Sequence, residues 1–249
     1  MGESDMVTIY RNGEALGDNL FAALLTQILV DNGIAAQFWH YDESMRNLMT
    51  CPIATSFQEP THLCTYAPES TWDGRSILRK IVDNCQRELG LRTPLRITRA
   101  TPPVTYYDIP EIEKVNVVLG TASGAWSPYR NWPYFDILKD QLTPAGITWK
   151  DITTTRGVAC LNWAKKADLY VGLETGTSHY VATVINRGLV LQSGYSNRQY
   201  WNWYGYRSIE EPVECGNCFL QSGCPNNHKC MVNISVERVF DVIVEMLNE

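Results

Sequence analysis

Four cysteines near the C-terminus have the spacing in this sequence that most directly suggests chemistry. Cys215, Cys218, Cys224 and Cys230 follow a C-x2-C-x5-C-x5-C pattern that glycines and a proline interrupt. Four thiolates at such spacing can surround one tetrahedral ion, zinc or iron, and four protein ligands leave no open position for catalysis. The pattern therefore predicts a structural metal site. A pair of disulfides, or four thiols without metal, are the alternatives.

A second group of reactive residue types interrupts an apolar segment, ADLYVGLETGTSHYVATVINRGLVLQSG, at residues 167–194. Its first part is typical of a buried parallel strand, and Gly176 can adopt the positive φ of a tight turn. Thr177 and Ser178 are natural N-cap residues, so we predict a helix that continues to Ile185 before the next strand. A helix N-terminus presents free amides and a partial positive charge, which favours an anion. An ordinary scaffold turn is the alternative.

The rest of the chain contains the elements that must position these residues. A strand, a loop ending in Gly17-Asp18 and a helix open the sequence, and a proline-rich stretch at 91–112 resembles a connection between domains. We therefore predict an α/β protein of two Rossmann-like domains, residues 1–112 and 113–249, that face a central cleft. Ligands in such sheets gather at the carboxyl ends of the strands. The predicted strands cover 7–10, 35–41, 115–120 and 147–153, and the predicted helices 20–33, 75–90, 131–142, 158–167 and 235–249.

Composition excludes several classes of protein. The chain has 249 residues, of which 45% are apolar, and a formal net charge of −6. An acidic protein offers no general attraction to a phosphate backbone, so nucleic-acid binding is not its predicted task. The sequence has no run of about 20 apolar residues and no signal-peptide pattern at its start, so we predict a cytoplasmic protein without a transmembrane segment.

Four separated stretches together resemble one known family. They are EALGDNLFAALLTQIL, LGTASGAWSPYRNWPYFDIL, the segment at 167–194 and CGNCFLQSGCPNNHKCM. In this order and spacing they resemble the ADP-heptose:lipopolysaccharide heptosyltransferases, which are glycosyltransferases with the GT-B fold. The resemblance implies that residues 1–112 are a shortened acceptor-side domain and that residues 113–249 bind the nucleotide sugar.

The resemblance also implies a reaction. Asp18 matches the catalytic aspartate of the family, which implies an inverting transfer of a heptose or related sugar from an ADP-linked donor. Asp18 would act as general base toward an acceptor hydroxyl on a glycan or a protein. An ordinary helix N-cap is the alternative role for this residue. A non-catalytic nucleotide-sugar-binding protein with the same fold is the alternative function.

Residues of the C-terminal half are expected to hold the departing diphosphate without a catalytic metal. Arg130 stands where the family usually has lysine, and Glu174 stands where it usually has aspartate. Amides and hydroxyls at the helix start, together with the arginine, would balance the charge that develops on the diphosphate, while Glu174 would face the sugar hydroxyls. The predicted donor-binding residues are Arg130, Glu174, Thr175, Gly176, Thr177, His179 and Ser123.

Overall fold

The computed structural model describes residues 6–11, 15–57, 61–64, 76–124, 128–196, 205–220 and 223–249. The chain divides into two compact units, Met1–Tyr106 and Tyr107–Glu249. The sequence had suggested a boundary at residue 112, at the end of the proline-rich stretch. Across the described ranges, no helix combines the length and the hydropathy needed to cross a membrane.

The first unit is built on a parallel sheet with the strand order β2-β1-β3. Helix α1 carries the buried apolar residues that cover this sheet, among them Leu20, Phe21 and Leu24. Helix α3 begins where the Ser76 hydroxyl accepts a hydrogen bond from the Arg79 amide, which satisfies a free amide of its first turn. The elements are β1 (Val7–Tyr10), α1 (Leu16–Asp31), β2 (Ala36–Trp39), α2 (Glu43–Asn47), β3 (Thr61–Leu63) and α3 (Ile77–Glu88).

The second unit has a longer parallel sheet with the strand order β5-β4-β6-β7-β8. Strand β6 lies between β4 and β7, and its last five residues are buried, as expected of a strand covered on both faces. The elements are β4 (Val115–Gly120), a 3-10 turn (Pro128–Arg130), α4 (Phe135–Leu142), β5 (Trp149–Asp151), α5 (Gly157–Lys165), β6 (Ala167–Leu173), α6 (Gly176–Val181), β7 (Gly188–Gln192), β8 (Arg207–Glu210), α7 (Lys229–Val232) and α8 (Val236–Asn248). The predicted α/β class with parallel sheets is confirmed.

Helices α4 and α8 pack on one another and contribute to one apolar core with the strands. The apolar face of α8 includes Val239 and Ile243, both fully buried. Trp132 enters the same core, and its indole N–H donates to the Ile234 carbonyl at 2.9 Å. This bond joins the segment that follows the 3-10 turn to the segment that precedes α8.

Helices α1, α4 and α6 are among the elements that differ from the sequence prediction. Helix α1 begins at Leu16 rather than Leu20. Helix α6 has Thr175, not Thr177 or Ser178, as its N-cap residue, and Gly176 does not have positive φ. Helix α6 ends at Val181 rather than Ile185, because the amides of Thr183 and Val184 bond carbonyls three residues back and interrupt the helical ladder. Helix α4 begins at Phe135, so Pro133 precedes the helix instead of lying in its first turn.

Tyr170 restricts which residues can stand at two positions of the neighbouring strands β4 and β6. Its hydroxyl would lie 2.2 Å from a Cβ atom at Gly172 and 2.5 Å from one at Gly120. Gly120 and Gly172 are register partners on β4 and β6. The ring therefore occupies the space that side chains at these positions would need.

Candidate functional site

Asp18 lies in the first turn of α1, and Ala15 occupies the N-cap position. The alternative role of Asp18 as the N-cap residue is therefore wrong. Its carboxylate is about one quarter exposed and lies 3.4 Å from the Arg11 guanidinium. Arg11 in turn donates to the Cys64 carbonyl at 2.9 Å, just beyond β3. Arg11 thus joins the ends of β1 and β3 to the start of α1, and the sequence analysis did not identify it.

In the second unit, the segments after β4 and β6 bring Arg130 and Glu174 together. The Arg130 guanidinium donates to the Glu174 backbone carbonyl at 2.8 Å and lies 3.6 Å from its carboxylate. Both side chains are almost completely buried, at 6% and 3% exposure. A buried charge acts in a medium of low dielectric constant, so it interacts more strongly with its surroundings than a charge on the surface.

Gln192 at the end of β7 and Ser196 beyond it complete this group, and the sequence analysis missed both. The Gln192 amide donates to the Glu174 carboxylate at 3.1 Å and to the Ser196 carbonyl at 3.2 Å. The Ser196 hydroxyl lies 3.4 Å from the same carboxylate. The sequence signal that could have identified them is the run of polar residues directly after the buried strand GLVL. Carboxyl ends of neighbouring parallel strands meet at one edge of the sheet, so residues at this position are expected near Glu174.

Burial determines the charge state of Glu174. It raises the pKa of this carboxyl to about 7, against the opposing effects of Arg130, Gln192 and Ser196. The carboxylate is turned toward these protein groups at 3% exposure. Its predicted contact with sugar hydroxyls stays a prediction.

The turn between β6 and α6 is closed by local hydrogen bonds. The Thr175 amide donates to the Ser178 hydroxyl at 3.2 Å, and that hydroxyl donates to the Thr175 carbonyl at 2.7 Å. Gly176 and Thr177 are partly exposed in the first turn of α6. His179 is buried, and burial together with the nearby Arg130 charge lowers its pKa to about 3. This imidazole is therefore neutral at physiological pH.

Ser123 follows β4 and is partly exposed. Its backbone amide donates to the Asn131 side chain at 2.7 Å, which links the start of the segment after β4 to the residue that follows Arg130. The donor-binding roles of Ser123, Thr175, Gly176, Thr177 and His179 remain predictions.

The four clustered cysteines line one small cavity of about 80 Å³. All four are free thiols rather than disulfides. Burial, together with the other three thiols, raises the pKa of Cys230, while a hydrogen bond from the Gly194 amide acts in the opposite direction. Within the described ranges, no three His, Cys, Asp or Glu side chains are grouped as a metal ion requires. The four thiols nevertheless line one common space.

Backbone strain is concentrated in the same loop. Asn217, Phe219, Asn227 and His228 have φ values of 58°, 50°, 48° and 44°, and they are the non-glycine residues with positive φ in the described ranges. Phenylalanine is rarely found in this region, which costs L-residues about 1–2 kcal/mol each. Such conformations persist where surrounding interactions impose them. The loop between Cys215 and Cys230 therefore needs a strong constraint.

The arrangement in the second unit offers a buried cation, a helix start and a titratable carboxylate at one sheet edge. These groups can balance the charge of a phosphate ester without a metal ion. The first unit offers a carboxylate beside an arginine at the equivalent sheet edge, where a proton acceptor can be held in place.

Comparison with known proteins identifies the fold. No protein-family model matches the chain, and no curated protein matches its sequence. Among solved structures, the iron-containing dodecameric glycosyltransferase TibC from enterotoxigenic E. coli is similar at 13% identity, with a TM-score of 0.71 over 98% of this chain and 78% of that chain. A family 9 glycosyltransferase from Veillonella parvula is 12% identical, with a TM-score of 0.65 over 99% of this chain and 98% of that chain. The E. coli heptosyltransferase WaaC, solved with ADP, is 12% identical, with a TM-score of 0.60 over 97% of this chain and 100% of that chain. The chain therefore has the GT-B fold of the heptosyltransferases.

Proposed function

We propose that the chain is an inverting glycosyltransferase that moves a heptose, or a related sugar, from an ADP-linked donor to an acceptor hydroxyl of a glycan or protein. The observation that carries the proposal is the structural likeness to heptosyltransferases over nearly the whole chain. TibC has been solved in complex with ADP-D-beta-D-heptose, and WaaC with ADP. These ligands make an ADP-linked heptose the first donor to test.

In the proposed reaction, the acceptor oxygen attacks the anomeric carbon while the bond from that carbon to the diphosphate oxygen breaks. Asp18 accepts the proton of the acceptor hydroxyl, and ADP leaves with the bonding electrons. Arg11 holds the Asp18 carboxylate from the side of β3. The direct displacement inverts the configuration at the anomeric carbon.

The second unit binds the donor in this proposal. Arg130 and the amides at the start of α6 stabilise the charge that grows on the leaving diphosphate. The neutral His179 can donate or accept one hydrogen bond without adding charge. No catalytic metal ion is required, because fixed cationic and amide groups supply the electrostatic stabilisation.

We further propose that Cys215, Cys218, Cys224 and Cys230 hold one structural iron or zinc ion. Their common cavity and the left-handed residues between them support this role, and TibC is described as iron-containing. When bound, the ion would supply a tetrahedral cross-link of thiolates, which are deprotonated on coordination.

Replacement of Asp18 by asparagine tests the catalytic proposal. With ADP-heptose as donor and water as acceptor, we expect Asp18→Asn to lower the hydrolysis rate by about 10² or more, because the proton acceptor is lost. The Kd for ADP should change less than about twofold, since the donor groups lie in the other unit. Release of ADP, followed by a coupled assay, and calorimetric titration measure the two quantities.

Asp31 provides a matched control. It lies on the same helix, its carboxylate is similarly exposed, and it also has an arginine partner, Arg99 at 3.7 Å. Asp31→Asn should keep the wild-type rate. An unchanged rate in Asp18→Asn would refute the base assignment. A wild-type chain that binds ADP-heptose and never releases ADP would support the alternative, a nucleotide-sugar-binding protein without catalysis.

A further inference from the structure

The Arg130 guanidinium has a second neighbour besides Glu174. Its central carbon lies 5.7 Å from the centroid of the Tyr195 ring, within the range of a cation–π contact. Tyr195 is 5% exposed, so the contact is shielded from water. The guanidinium thus lies between Glu174, whose backbone carbonyl accepts its hydrogen bond, and an aromatic ring that follows β7.

The four-cysteine loop holds Tyr195 in place. The Phe219 amide donates to the Tyr195 carbonyl at 3.0 Å, and the Cys218 amide donates to the Gly194 carbonyl at 3.3 Å. The rings of Phe219 and Tyr195 meet edge to face with centroids 5.3 Å apart. Phe219 is one of the residues with left-handed backbone, so its ring is aimed at Tyr195 by the strained part of the loop.

Gly194 is also in close contact with a cysteine. A Cβ atom at this position would lie 3.2 Å from the Cys230 Cβ atom and 3.5 Å from its Sγ atom. The residue that precedes Tyr195 therefore fits tightly against the fourth cysteine. Movement of Cys230 would be transmitted to the backbone of Tyr195.

A separate contact joins the loop to Tyr129, the residue that precedes Arg130. The Gly223 amide donates to the Tyr129 hydroxyl at 2.7 Å. The Tyr129 ring lies edge to face with His228, with centroids 4.7 Å apart, and the His228 amide lies 3.4 Å from the Cys224 sulfur. Tyr129 directly precedes Arg130 in the 3-10 turn. The loop thus contacts the residue before Arg130 as well as the ring beside its guanidinium.

We propose that Tyr195 is a positioning residue for Arg130 and that the four-cysteine loop controls its position, so that metal binding by the cysteines strengthens binding of the donor diphosphate. This inference rests on the proposed function, because it assigns Arg130 to the donor. Tyr195 does not contact the reacting atoms in this scheme. It acts by keeping the guanidinium oriented, and the loop acts by keeping Tyr195 in place.

The test compares calorimetric Kd values for ADP in the metal-loaded chain and in the chain stripped with a chelator. We expect Tyr195→Leu to weaken ADP binding about tenfold in the loaded chain, which corresponds to about 1.4 kcal/mol. Tyr195→Phe keeps the ring and should bind within about twofold of wild type, because the contact with Arg130 needs the aromatic face and not the hydroxyl. Metal content and the thermal unfolding midpoint are measured on every sample.

Removal of the metal should weaken ADP binding about tenfold in the wild type and by a clearly smaller factor in Tyr195→Leu, because the route through that ring is lost while the contact through Tyr129 remains. Trp149→Phe, which alters an indole beside Thr143 and Lys139, is the control and should respond to the chelator as the wild type does. Equal losses on stripping the wild type and Tyr195→Leu, or no loss in the wild type, would overturn the inference.

The same experiment separates this inference from the proposed function. A loaded wild-type chain that fails to bind ADP refutes the donor proposal, and with it the role of Arg130. A chain that binds ADP but retains no metal overturns the role of the loop alone. If the stripped chain unfolds, the test is the comparison of ADP affinities between the metal-loaded variants. Equal affinities of Tyr195→Leu and Tyr195→Phe for ADP would then refute the positioning role.

Discussion

At the scale of single residues, Glu174 stands where the family that the sequence resembles usually has the shorter aspartate. Its carboxylate reaches Gln192 and Ser196, while its backbone carbonyl accepts a hydrogen bond from Arg130. The protonation state of this buried carboxyl therefore determines how far the positive charge of Arg130 is compensated. A proton gained here leaves the guanidinium charge less compensated.

The pKa of Glu174 predicts a pH dependence of stability. Burial raises this pKa from 4.5 to about 7, so between these values the folded chain keeps a proton that the unfolded chain has lost. The free energy of unfolding should therefore fall as pH rises through this range, by at most about 1.4 kcal/mol per pH unit. Glu174→Gln removes the titrating group, and urea unfolding at a series of pH values should show a flatter profile for this variant.

Glu113→Gln is the control for that series, because Glu113 is exposed. Its stability profile should follow that of the wild type. Parallel profiles for Glu174→Gln and wild type would show that Glu174 does not titrate in this range.

Residue roles were only partly accessible from the sequence. The resemblance selected Arg130 and Glu174, and the structure brings these two together. Gln192 and Arg11 were missed because their partners lie 18 and 7 positions away or across the sheet. A single sequence contains periodicity and local turn chemistry, but it does not state which strand ends become neighbours.

At the scale of elements, predictions succeeded where one apolar face was long and regular. Helices α3 and α8 have strong helical periodicity and serine N-caps, and both form close to their predicted bounds. Strand β8 was not predicted, because its four residues show only weak alternation of apolar and polar side chains. They form a strand by pairing with β7. Short strands depend on tertiary contacts more than on their own sequence.

Gly188 gives a prediction about the packing of β7. A Cβ atom at this position would lie 2.5 Å from the Tyr206 ring, and the Tyr206 hydroxyl is fixed by a 2.7 Å bond to the Ile185 carbonyl. Because the ring cannot move freely, Gly188→Ala should destabilise the chain by about 1–3 kcal/mol. The midpoint of urea unfolding measures the loss.

A double-mutant cycle provides the control for this packing prediction. In a Tyr206→Leu background the ring is absent, so the added methyl group should cost less than in the wild type. The same cost in both backgrounds would show that the ring is not the cause of the destabilisation.

At the scale of the whole chain, the four-cysteine loop predicts a dependence on metal that is confined to one unit. Each unit has its own sheet, and all four cysteines belong to Tyr107–Glu249. We expect about one iron or zinc per purified chain by elemental analysis. With free metal at about 1,000 times its Kd, the loaded state should be stabilised by about 4 kcal/mol.

Joint replacement of Cys218 and Cys224 by serine should remove the metal and reduce hydrogen-exchange protection in the second unit, while the first unit keeps its protection. Cys160→Ala is the matched control, because this cysteine is buried in the same unit and outside the loop. It should retain the metal. A full metal content in the doubly substituted chain would contradict the assignment.

The organisation of the chain into two parallel-sheet units followed from its alternating strand and helix patterns, because these patterns are local. The metal prediction also used a local signal, the C-x2-C spacing. By contrast, the contacts of Tyr129 and Tyr195 with the four-cysteine loop join segments that the chain brings together only on folding. No spacing rule reports such contacts.

The Tyr170 ring has an implication for how this sequence can drift over generations. Because its hydroxyl fills the space beside Gly120 and Gly172, a larger residue at Gly120 should be better tolerated once the aromatic ring has been replaced by a smaller side chain. At Gly172 the Gly120 carbonyl, 3.1 Å from the position of a Cβ atom, would still crowd a larger residue. The order in which these positions change should therefore matter during evolution.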